Sequence, residues 1–84
     1  MTEPDYNKLL PEFRDSLRMY IEGGYPPGGF LTAVLQNDLS NAIGRADKVS
    51  LLWLPSIVRW IYNEAPSACW GSPEKVSAWI RSVS

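Results

Sequence analysis

The side chains in this chain that could do chemistry are few, and what is missing narrows the field first. There is no histidine and a single cysteine, Cys69, which excludes a histidine general base, zinc-finger spacing and an intramolecular disulfide. Without a basic partner Cys69 is expected to be a small buried apolar residue rather than a nucleophile. Asp38 and Asp47 fall on roughly opposite sides of a helical wheel and the other acids lie mainly on exposed faces, so no carboxylate pair is placed for hydrolysis. No metal site and no cofactor is expected. The residue inventory is that of a binding protein, not an enzyme.

Three groups of residues could hold a ligand. Phe30, Asn37, Asn41, Arg45 and Lys48 share one strip of a helical wheel, beside an apolar arc; the amides can donate and accept, and the Arg45 guanidinium offers a planar fork to a phosphate or carboxylate. The same strip also reads as a solvated face with internal ion pairs, such as Asp38 with Arg45. The second group is GGYPPGGF at 23–30, with four glycines and two prolines in eight positions. Gly28 and Gly29 could let the amides of Gly29, Phe30 and Leu31 form an anion site at a helix start, with Tyr25 or Phe30 as a stacking surface. Equally, Gly23 and Gly24 stop one helix, Pro26 and Pro27 stiffen a crossover, and the later glycines relax the way into the next helix. The third is Trp70 with Gly71, directly before a helix start, where an indole and free amides could meet a flat anion or the indole could staple the helix. Neither a Walker loop nor a dinucleotide fingerprint is present, because the lysine, the strand and the spacing are missing.

The elements that must position these groups are all helical. Leu10, Phe13, Leu17, Tyr20 and Ile21 recur at three- and four-residue spacing, predicting a first helix over 11–22 with Pro11 in its first turn and Gly23 as its stop. Leu31, Leu35, Leu39, Ala42 and Ala46 predict a second over 30–45. A continuous helix there would hold Gly29 and Arg45 about 20 Å apart at 1.5 Å per residue, so that one copy could not use both on one ligand and a two-fold partner would have to bring them together. Leu51, Leu54, Ile57, Val58, Ile61 and Tyr62 predict a third helix, either kinked over 49–64 or beginning near Pro55. Ser72, Pro73 and Glu74 form a strong start signal for a fourth over 73–82, with Val76, Trp79, Ile80 and Val83 as its apolar stripe. No segment alternates like a strand. The expected fold is all-α, a small single-domain bundle of about four short helices spanning residues 1–84, with most of the tryptophan mass in its core.

Eight basic and nine acidic side chains leave a net charge of −1, which disfavours general nucleic-acid binding by charge. MTEPDYNKLLPEF at the start has no basic segment followed by an apolar run, so neither a signal peptide nor a membrane span is expected, and the unpaired cysteine suggests the cytoplasm. Self-association is expected of a domain this small.

The run YIEGGYPPGGFLTAVLQNDLSNAIGRAD at 20–47 and the run YNEAPSACWGSPEKVSAW at 62–79 resemble a group of small phage and prophage proteins that pair a PPG-F-L-AVL-NDL-RAD block with a CWGSP block. The resemblance implies an accessory gene of a phage genome, acting in the infected cell against host physiology or host defence by binding. Two functions are then expected. The first is sequestration of a nucleotide-type signalling molecule by Tyr25, Gly28, Gly29, Phe30, Asn37, Asn41, Arg45, Lys48, Trp70 and Gly71. The alternative is a protein-protein inhibitor of a host or defence enzyme, or a phage regulatory adaptor. Inward aromatic rings around convergent polar groups would mark the first, and outward aromatic anchors the second.

Overall fold

A computed structural model of the chain describes residues 4–83. It is all-α, with five helices in the order α1 (Pro11–Gly23), α2 (Gly29–Leu35), α3 (Leu39–Arg45), α4 (Lys48–Glu64) and α5 (Pro73–Val83), and with single 3-10 turns at Tyr6–Lys8 and Ser67–Cys69. There is no strand among the described residues.

α1 ends as its sequence requires. Gly24 takes a left-handed conformation, φ 72°, and its amide donates to the Tyr20 carbonyl while the Tyr25 amide donates to that of Met19, which satisfies the last turn without a side chain. Phe13, Leu17, Tyr20 and Ile21 are the buried face.

The expected second helix is two helices. Asn37 adopts φ 61°, a left-handed conformation that asparagine tolerates better than most residues. Its amide donates to the Val34 carbonyl and that of Asp38 to Ala33, closing α2. The Asp38 carboxylate then caps α3, accepting from the Asn41 amide at 3.3 Å. Adjacent stop and start signals turn the chain sharply, and α2 packs closely on α3. The apolar spacing through Leu31, Leu35, Leu39 and Ala42 looked continuous because the break costs few positions. After it, however, Leu39 is exposed rather than buried.

α4 is one helix with Pro55 inside it. Pro55 is exposed, so its ring meets solvent and the missing backbone bond is borne on the outer side of the helix. Asp47 caps the helix by accepting from the Ser50 amide at 2.7 Å, and that bond holds its carboxyl below the usual carboxylate range. Trp60 lies on the inner face and donates its Nε1 proton to the Asp5 carbonyl at 2.8 Å, while the Asp5 amide donates to the Glu64 carboxylate. The N-terminal segment is thereby strapped across α4.

α5 starts where expected, with Ser72 Oγ accepting from the Lys75 amide at 3.1 Å. It packs on α1 and on the turn at Ser67–Cys69. Trp79 Nε1 donates to the last carbonyls of α1, those of Tyr20 and Ile21, tying α5 to α1 by a bond as well as by apolar contact.

Candidate functional site

The ten candidate residues do not converge. The structure divides them between two neighbouring depressions that share α3 and Asp38, and it leaves several outside both.

The first depression is a polar recess of about 240 Å³ lined by Gly29, Thr32, Ala33, Gln36, Asp38, Asn41 and Arg45. Because α3 folds back on α2, Arg45 returns to the start of α2: a Cβ added to Gly29 would lie 2.9 Å from Arg45 Nη1. The separation of about 20 Å expected for a continuous helix is thus removed within one chain. Arg45 makes no hydrogen bond or ion pair among the described residues. Asp38 is instead held by Asn41, whose Nδ2 donates to it at 2.6 Å, so the expected Asp38–Arg45 pair is absent among the described residues and one arm of the Asn41 amide is already used. Thr32 Oγ1 donates to the Pro27 carbonyl at 2.8 Å, fixing the crossover to α2.

The second depression is an apolar groove, also about 240 Å³, lined by Val34, Asn37, Asp38, Leu39, Ala42, Leu54, Val58, Ile61 and Trp70. α3 forms one wall and α4 the other. Trp70 reaches it from a tightly pinned loop: the Tyr20 hydroxyl donates to the Cys69 carbonyl at 2.6 Å, and the Gly71 amide donates to the Leu35 carbonyl at 2.7 Å. Gly71 needs its φ of 118° to make this turn, a conformation closed to most side chains. Its amide is therefore committed to the fold and not offered to a ligand. Burial pushes the Cys69 thiol up to about 11, and burial followed by the nearby thiol raises the Tyr20 hydroxyl further above its ordinary range. Cys69 is fully buried and protonated at neutral pH, as expected of a core residue.

The remaining candidates stand apart. Phe30 is half-buried against the core, its ring 6.4 Å from that of Phe13; it packs and does not cover the recess. Tyr25 is exposed, with its ring against the backbone of Gly23. Gly28 precedes α2 and Lys48 opens α4, both exposed and neither lining the recess or the groove.

The ten candidates do not include the exposed apolar side chains of α3 and α4, of which Leu39 and Val58 line the groove. Seven of the nine exposed large apolar side chains among the described residues belong to α3 and α4: Leu39, Ile43, Val49, Leu51, Leu52, Val58 and Tyr62. The Tyr62 ring also stands 6.2 Å from that of Trp70, edge to face. The signal was present in α4. From Trp60 through Ile57 and Leu54 to Leu51 and Tyr62, its apolar arc covers about 200° at 100° per residue, far wider than one core contact needs.

No family model, no curated protein and no solved structure matches the chain.

Proposed function

We propose that this chain is a non-catalytic binding protein whose working surface is the groove between α3 and α4, and that its target is a protein bearing an apolar helical segment. The supporting observation is the concentration of exposed apolar side chains on those two helices, of which Leu39 and Val58 line the depression and Leu51 and Tyr62 share the α4 edge with Val58, in a lining with one ionisable residue, Asp38. Leu51, Pro55, Val58 and Tyr62 repeat at four, three and four residues, the spacing that packs one helix against another, and all four are exposed, while Leu54 and Ile61 beside them are buried in the core. Tyr62 is an outward aromatic anchor of the kind an inhibitor or adaptor needs, and the half-buried Trp70 backs it edge to face. In the phage-accessory setting that the sequence blocks suggest, the target is a host or defence enzyme.

One observation favours the nucleotide reading: the fold-back that sets an unpaired Arg45 beside Gly29. Against it, Asp38 puts a carboxylate in the same recess, and no aromatic ring lines it. The groove reading therefore carries more of the structure.

A photo-crosslinking amino acid placed at position 62 in phage-infected cells tests the proposal. The expected result is one crosslinked target protein, distinguished by mass from any crosslink between two copies of this chain, lost when Val58→Arg fills the groove with charge and unaffected by Arg45→Ala. Crosslinking to the target from position 62 that persists in Val58→Arg, or none at all, would overturn it.

A further inference from the structure

We infer that, before it meets a target, the groove is occupied by a second copy of this chain in a two-fold dimer, so that self-association and target binding compete for one surface. The inference rests on the groove being the working surface, and adds what covers it.

The area is the first argument. The exposed portions of Leu39, Ile43, Leu51, Val58 and Tyr62 together amount to more than two and a half whole residues, roughly 400–550 Å² at about 150–200 Å² each. Pro55 is exposed on the same edge and Leu52 stands at its rim. A two-fold pairing that covers all of it buries about 800–1,100 Å² in total, at the lower limit for a specific association. Such a dimer is weak and reversible, as a surface that must also release its partner requires.

Shape and charge point the same way. One molecule carries both a depression and, beside it, the projecting edge Leu51–Pro55–Val58–Tyr62 of α4. About a two-fold axis each copy gives its edge to the other's groove, the self-complementary arrangement of an isologous interface. The charges flanking the two parts are opposite. Lys48 and Arg59 lie on the outer side of that edge, with no ion pair among the described residues, and Asp38 closes the groove. An edge entering the partner's groove brings its basic flank toward Asp38 of that groove, and the two-fold axis repeats the match.

Sedimentation of the full chain from about 1 to 500 µM reads the monomer–dimer balance directly. The wild type is expected to shift from monomer to dimer across that range. Val58→Arg and Tyr62→Arg should each weaken dimerisation by at least about tenfold, while Met19→Arg, an exposed position on α1, should change it by less than about twofold. Circular dichroism confirms that each variant is folded, and Tyr62, three-quarters exposed, can be changed without touching the core if Val58→Arg fails to fold. A wild type monomeric at 500 µM, or a dimer unaffected by both groove variants, overturns the inference. The two proposals fail separately. A monomeric chain whose target crosslink is lost in Val58→Arg removes the dimer and keeps the groove; a dimer lost in Val58→Arg alongside an unchanged target crosslink removes the groove as the target site and keeps the dimer.

Discussion

Replacing Tyr20 with phenylalanine removes one oxygen atom and tests how the groove is held. Tyr20 is fully buried in the core, and its hydroxyl donates to the Cys69 carbonyl across 49 residues of sequence. Phenylalanine keeps the ring and its packing, so the change isolates the hydrogen bond. A buried carbonyl that loses its donor costs about 1–3 kcal/mol. For a domain of this size, with a urea dependence of about 1–1.5 kcal/mol per molar, that lowers the unfolding midpoint by roughly 0.7–3 M. The effect should also be local. Trp70 follows Cys69, and of the two bonds that pin that loop to the core only the one from the Gly71 amide to the Leu35 carbonyl would be left. Amide exchange at residues 69–71 should therefore quicken beyond what global destabilisation explains, and Trp70 should become more mobile at the groove. Tyr62→Phe is the control, because that ring is exposed. A midpoint shift below about 0.3 M, or exchange at 69–71 no faster than in the rest of the core, would refute the claim that this bond positions the groove floor.

Three further outcomes follow from the same contacts. Stability should be intact below about pH 9 and decline above it, because a thiol raised from 9.0 to about 11 and a Tyr6 hydroxyl pushed up to about 12 by burial and the Glu22 carboxylate keep their protons longer in the fold than in the unfolded chain. The buried thiol contributes a slope approaching 1.4 kcal/mol per pH unit between its two values, the partly solvated Tyr6 adds a smaller one in the same direction, and both are read as urea midpoints from pH 8 to 11. At the acid end the sign reverses: Asp47 and Glu64 are lowered, chiefly by the Ser50 and Asp5 amides, so their contribution is present above about pH 4 and is lost as pH falls below it, and Asp47→Ala should flatten that dependence. Pro55→Ala should raise stability by about 1 kcal/mol or more, since an exposed interior position of α4 regains a backbone donor at a small cost in unfolded-state entropy, visible as a higher melting temperature.

How far the sequence carried depended on whether a signal was local. The limits of α1 and α5 were readable because proline, glycine and a serine cap act within a turn of themselves. The break in the expected 30–45 helix was equally local, in Asn37 and Asp38, but those residues also fit a polar strip, and periodicity across them concealed the stop. Pro55 misleads in the opposite direction: its local cost is real, yet Leu54, Ile57, Trp60 and Ile61 bury one continuous face of α4, and packing outweighs it. The candidate site was legible only in part. Spacing could put Asn41 and Arg45 on one strip, but the return of Arg45 to Gly29 depends on the direction of the chain after the break. The fate of Gly71 depends on a carbonyl 36 positions away. The exposed edge of α4 was written in its over-wide apolar arc, although which part of that arc meets the core is decided by the other helices.

Arg45→Ala and Val58→Arg together separate the two functional readings. Arg45 is exposed and makes no bond among the described residues, so its removal should leave the unfolding midpoint nearly unchanged. If the recess holds the phosphate of a nucleotide, the guanidinium supplies a charge-assisted bond, and its loss should weaken binding by about 1.5–3 kcal/mol, or roughly ten- to a hundredfold. Because α2 and α3 meet within one chain, this affinity should not depend on protein concentration, whereas a site completed by a second copy would lose affinity on dilution. Val58→Arg changes the groove and leaves the recess intact. Calorimetry against cyclic and linear nucleotides with both variants gives opposite patterns for the two readings. We expect no nucleotide to bind, with target capture lost in Val58→Arg alone. Nucleotide binding that is abolished by Arg45→Ala and indifferent to Val58→Arg would move the function from the groove to the recess, where the turn at Asn37 and Asp38 has brought the start of one helix and the end of the next together.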